Sequence, residues 1–180
     1  MRYSRVRYMA AAALTAALTA AAAFVRVPFW PSYITMQTLA VLLGGLALGP
    51  LWGAAAQGLY VLLGLVGLPV FASGVAGFAA VFTPTFGFLL SFPIAAAVCG
   101  AIARGRKSAK RRALAVCAGT LVIYAVGLPY LAFAARVWLG SDVPALTLLA
   151  GNFFAYLPGD ALKCACAVAL ARLCEKALQK

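Results

Sequence analysis

Two ionisable residues stand inside an otherwise apolar stretch near the end of the chain, Asp160 and Lys163 in Leu157-Pro158-Gly159-Asp160-Ala161-Leu162-Lys163. Spaced i, i+3, they share one face of a helix, where they pair with each other or meet one ligand together. A polar ligand at this point accepts from Lys163 and donates to Asp160, and a helix starting near Asp160 adds free N–H groups. Counting back from Arg172 at ~1.5 Å per residue places Asp160 about 18 Å above the inner boundary of a ~30 Å hydrocarbon core. An ionisable residue in a span costs at least about 2.5–3.5 kcal/mol on insertion scales and ordinarily marks a pathway or a site. The plainer alternative makes Asp160 an N-cap and Lys163 a snorkelling chain. It accounts for Asp160 better than for Lys163, which would have to reach back along the stem.

Other chemistries lack their parts. The chain has no histidine, and its three acidic residues are Asp142, Asp160 and Glu175, so a Ser-His-Asp triad and a His-ligated metal are excluded. No GxxxxGK[ST] loop is present, so energy for any transport must come from a gradient or a partner. Cys99, Cys117, Cys164, Cys166 and Cys174 lie in or beside apolar runs without a CxxC pair, which predicts free packing thiols. Cys164 beside Lys163 is the one faint trace of an intramembrane enzyme.

The elements that position these residues follow from composition. Of 180 residues 66% are hydrophobic and 10% charged, against about 45–50% and 25% in soluble domains. The net charge of +12 is gathered between apolar runs: Arg2, Arg5 and Arg7; Arg104, Arg106, Lys107, Lys110, Arg111 and Arg112; Arg172, Lys176 and Lys180. The positive-inside rule accounts for all three clusters at once, which nucleic-acid binding does not. It predicts an all-α integral membrane protein, one domain over 1–180, with six transmembrane helices and both termini cytoplasmic. Arg26 and Arg136 are then the two basic residues left outside.

The runs are Tyr8 to Val25, Thr38 to Leu48, Leu51 to Val66, Phe82 to Ile102, Leu114 to Ala134 and Leu146 to Leu173. Gly49-Pro50 predicts a tight inner turn between the second and third. Val27 to Tyr33, with two prolines and Trp30, reads as an interfacial loop, and Leu68 to Ala80 as an irregular outer loop. The last run, interrupted by Pro158-Gly159-Asp160, reads as a short outer or re-entrant piece followed by a helix starting near Asp160. The basic start and alanine-rich run also suit a signal peptide, but about 18 residues without a polar c-region favour a retained span.

Polar and aromatic residues near the outer ends supply the rest of a candidate pocket: Thr35, Gln37, Phe71, Ser73, Thr85, Phe88, Asn152 and Tyr156, with Thr83 beside them. Gln57 and Tyr60 are weaker candidates, each satisfied by one hydrogen bond to a neighbouring helix. In the first helix Ala12-Ala16-Ala20 and Ala13-Ala17-Ala21 form two stripes of small residues. Such stripes let helices approach closely, either within this protein or at a docking face for another membrane subunit.

The stretches Ile34-Thr35-Met36-Gln37-Thr38-Leu39-Ala40-Val41-Leu42-Leu43-Gly44-Gly45, Gly67-Leu68-Pro69-Val70-Phe71-Ala72, Pro84-Thr85 with Gly87, and Leu157 to Lys163 together resemble the motifs of the BioY family. These are the biotin-binding S components of energy-coupling factor (ECF) vitamin transporters, and the likeness covers nearly the whole chain. It implies a six-helix protein of the prokaryotic plasma membrane that captures biotin outside. A transmembrane coupling subunit and a pair of cytoplasmic ATPases would power import, with no catalytic residue, metal or cofactor in this chain.

The resemblance places Asp160 and Lys163 in the biotin site. Asp160 would accept from the ureido N–H and Lys163 donate to a ligand oxygen, with Phe71 and Phe88 on the thiophane ring. Gln37, Ser73 and Asn152 would be lesser polar contacts, and the alanine-rich first helix resembles the family's docking surface. One stretch departs from the family pattern: glycine-proline-threonine-glycine-glycine-tyrosine reads Thr83-Pro84-Thr85-Phe86-Gly87-Phe88 here. Two other readings compete, an S component for a different vitamin and a membrane scaffold in which Asp160 and Lys163 form a structural ion pair.

Overall fold

The computed structural model describes residues 2–105 and 108–179, with backbone alone at 2–4 and 172–179. Arg106, Lys107 and Lys180 therefore lie outside the described residues, as do the side chains of Arg2, Arg172, Cys174, Glu175 and Lys176. The helices are α1 (Arg2–Phe24), α2 (Gln37–Leu65), α3 (Phe86–Ala103), α4 (Ala109–Val137) and α5 (Ala145–Gln179), with a 3₁₀ turn at Gly77–Phe82. All five are long and apolar enough to cross a membrane.

The run Gln37–Leu65 is two helical arms, 37–48 and 50–65. Gly49 takes φ 79°, which favours glycine, and Pro50 fits the first position of the returning arm. The reversal brings Gln37 Nε2 to 2.6 Å from the Tyr60 hydroxyl, two residues about 35 Å apart along a straight helix. With this hairpin the chain has six helical segments, the number expected from sequence, and the predicted turn falls at Gly49-Pro50. At that turn α3 packs backbone to backbone: a methyl group on Gly100 would stand 2.5 Å from the Gly49 carbonyl carbon.

Two elements differ from expectation. The segment expected as an interfacial loop is an antiparallel hairpin, β1 (Arg26–Phe29) with β2 (Ser32–Thr35), turning at a cis Trp30–Pro31 bond. Prolines argue against strands only where a ladder N–H is needed; Pro28 sits in a two-stranded ribbon with an open edge, and Pro31 lies in the turn. Met36 N–H extends the tie by donating to the Val25 carbonyl at 3.2 Å. The second difference is α5, which runs unbroken from Ala145 through Pro158, so no helix starts near Asp160 and the N-cap and free N–H groups expected there do not exist. In a membrane the backbone satisfies its hydrogen bonds most readily by staying helical, and one proline removes only one donor.

The alanine stripes separate. Ala12 and Ala16 are buried, Ala12 against Leu48 and Ala56, and Ala20 packs on the main core. This stripe is internal packing, which corrects its assignment to a docking face. Ala13, Ala17 and Ala21 are exposed, beside exposed Leu14 and Leu18. The described cysteines, Cys99, Cys117, Cys164 and Cys166, are free thiols.

Candidate functional site

Asp160 lies fifteen residues into α5, about 22 Å along the helix from its start. Its neighbour on the same face, Lys163, donates to Asp160 Oδ1 at 2.6 Å, and both residues are only 6% exposed. The other carboxylate oxygen, Oδ2, accepts from the Tyr124 hydroxyl of α4 at 2.7 Å. Each carboxylate oxygen thus has one donor and one free lone-pair direction, and Lys163 keeps two of its three N–H bonds. The group is a neutral pair that still has capacity for a polar ligand.

That capacity faces a part-open cavity whose empty space, open solvent at the mouth included, is about 560 Å³. The hairpin forms one wall through Ser32 to Thr35, and the first arm of α2 contributes Gln37 and Thr38. Thr85, Phe88, Leu89 and Phe92 line it from the start of α3, Ile123 and Tyr124 from α4, and Tyr156, Asp160 and Lys163 from α5. Ala72 closes the ring from the irregular loop.

The polar wall is held from behind. Gln37 gives Nε2 to the Tyr60 hydroxyl, while its Oε1 accepts from Thr35 Oγ1 at 3.1 Å. Tyr60 in turn donates to the Val70 carbonyl at 3.1 Å, which ties the second arm of α2 to the irregular loop. Thr85 shares a 3.0 Å hydroxyl contact with Thr83, which caps the end of the 3₁₀ turn through the Ala80 carbonyl.

The apolar wall depends on a missing side chain. Phe88 lies against Gly127, where a methyl group would fall 2.2 Å from the ring, and it meets Tyr156 edge to face at 5.9 Å. Phe86, the residue that departs from the family pattern, is buried beside Tyr130 and takes no part in the lining.

Seven of the ten pocket residues expected from sequence therefore come together: Thr35, Gln37, Thr85, Phe88, Tyr156, Asp160 and Lys163. Three stand behind the lining. Phe71 packs its ring on Gly64 and Tyr60, Ser73 accepts from the Val75 N–H, and Asn152 donates to the Leu148 carbonyl and accepts from Tyr156. The residues that sequence reasoning missed are chiefly Tyr124 and the hairpin's Ser32 and Tyr33. Tyr124 was detectable only as a hydroxyl amid the apolar run of α4.

The family model described as "BioY family" matches residues 1–180. The chain belongs to the BioY family. A "Probable biotin transporter BioY" of Lysinibacillus sphaericus is 42% identical over 129 residues, 71% of this chain and 65% of that relative, just under two thirds of its length. The "Biotin transporter BioY" of Thermotoga maritima is 35% identical over 128 residues, 71% of this chain and 76% of that one. A crystal structure described as the S-component for biotin from an ECF-type ABC transporter shares the fold with TM-score 0.86 at 24% identity, covering 98% of this chain and 94% of that one.

Proposed function

We propose that this BioY-family chain is the biotin-specificity subunit of an ECF vitamin transporter in a prokaryotic plasma membrane. The observation that carries the reading is the buried, neutral Asp160–Lys163–Tyr124 group with hydrogen-bonding capacity turned toward a cavity lined by both polar and aromatic side chains. The names of the relatives support biotin as the ligand.

In this reading the ureido ring enters first. Asp160 accepts from its N–H, and Lys163 gives a charge-assisted hydrogen bond to its oxygen. Phe88 and Tyr156 cover the bicyclic rings, with Gln37, Thr35 and Thr85 as polar walls and Phe71, Ser73 and Asn152 in support. The chain binds cargo, with no cofactor and no catalytic step, and import is powered by a coupling subunit and an ATPase pair. The exposed Ala13-Ala17-Ala21 face of α1 is the surface offered to that coupling subunit.

The test is binding of labelled biotin to the purified protein in nanodiscs, with riboflavin and thiamine as competitors and Asp160→Asn and Lys163→Ala alongside. Tight binding that the other vitamins do not displace, and that both variants lose, supports the reading. Displacement by another vitamin moves the assignment to an S component of different specificity. A folded protein that binds none of them leaves the scaffold reading.

A further inference from the structure

The neutrality of the Asp160–Lys163 pair has a cost for any ligand that carries its own negative charge. Lys163 is committed to Asp160 at 2.6 Å, so an anionic group taken to the floor of the pocket would meet no net positive charge in a low-dielectric site. Biotin carries a carboxylate at the end of a flexible chain, and that end needs a cation elsewhere.

One cation stands beside two residues of the cavity wall. Arg26 lies directly opposite Thr35 in the hairpin register, so the two side chains leave the ribbon on the same face. Its guanidinium sits over the Tyr33 ring, 5.1 Å from the centroid. Thr35 and Tyr33 both line the pocket, while Arg26 itself is exposed and outside the lining. A guanidinium has five N–H donors in a fork that suits bidentate contact with a carboxylate, and contact with one ring leaves donors to spare. Among the described residues the one salt bridge is that of Asp160 with Lys163, so no acidic group occupies Arg26. The other candidate, Arg136, is twelve residues beyond Tyr124 on α4, about 18 Å farther along the helix.

We infer that Arg26 is a specificity-determining residue that holds the ligand's carboxylate at the hairpin rim, the neutral polar head being taken by Asp160, Lys163 and Tyr124. This rests on the biotin reading and adds an orientation to it: carboxylate at the mouth, ureido ring at the floor. It also gives the hairpin a chemical task, since β1 carries the cation and β2 the polar wall.

The experiment compares biotin with biotinamide, its neutral carboxamide, on the full chain in nanodiscs as wild type, Arg26→Gln and Arg26→Lys. The wild type is expected to prefer biotin about tenfold, in keeping with one charge-assisted hydrogen bond. Arg26→Gln should lower biotin affinity to the level of the amide while leaving amide affinity unchanged, which shows that the variant is folded. Arg26→Lys should keep part of the preference. A wild type without preference, or an Arg26→Gln protein that keeps it, overturns the assignment to Arg26; retention would send the carboxylate to Lys163 instead. A wild type that binds neither compound rejects the biotin reading itself, before any variant is compared.

Discussion

Two polar groupings are buried between the spans, and they differ in what they face. Gln57 in the second arm of α2 is fully buried and gives Nε2 to Thr19 Oγ1 at 3.1 Å, while Thr19 donates to the Thr15 carbonyl. Gln57 Oε1 has no hydrogen-bond partner, but neither Gln57 nor Thr19 lines the pocket, and Gly44 packs on Thr15 beside them. Asp160, Lys163 and Tyr124 are also buried, but their spare donors and acceptors line a space of about 560 Å³. Burial of polar atoms within a membrane protein is thus a poor marker of a site by itself. The informative feature is unspent hydrogen-bonding capacity turned toward a void.

The comparison can be broken most decisively at Lys163. Lys163→Met should strand the Asp160 charge, costing about 3–5 kcal/mol of stability and abolishing biotin binding. Thermal unfolding in detergent and labelled-biotin binding measure the two effects. Asp160→Asn combined with Lys163→Met should recover much of the stability and none of the binding, which separates the structural pair from the site.

A smaller effect is expected at Gly127→Ala, which drives a methyl into the Phe88 ring and should cost about 1–3 kcal/mol of stability by overpacking. Biotin affinity should fall with it, because Phe88 must move into or away from the pocket. Tyr124→Phe removes one donor from Asp160 Oδ2, and isothermal titration should show a loss of about 1–2 kcal/mol in binding. At the small end, Gln57→Leu should leave biotin affinity within about twofold and change stability by about 1 kcal/mol or less. A large loss of binding from Gln57→Leu would erase the distinction between the two groupings.

Much of this was legible in the sequence, for identifiable reasons. Gly49-Pro50 announced a turn because only a glycine adopts that φ readily, and proline starts helices well. Asp160 and Lys163 announced a site because charge within an apolar run has a high cost. Tyr124 stayed hidden because α4 is apolar on several faces, so periodicity did not say which residues turn inward. The same ambiguity covers the alanines: Ala12 and Ala13 differ by one residue and about 100° around α1, yet the first is buried and the second exposed. The hairpin was obscured by Pro28 and Pro31, and the continuity of α5 by Pro158, because proline has different consequences at a ribbon edge and in a membrane helix than in a soluble core.

The tight contact at Gly100 has a further consequence. Beyond Lys163 the space between the spans is filled by Leu42, Leu46, Cys99, Val116 and Ala167, and at the Gly49 turn the backbones of α2 and α3 touch. None of these side chains is among the residues that line the pocket. On the biotin reading, a ligand held by Asp160 and Lys163 would face this packed layer rather than a lining that continues through the described bundle.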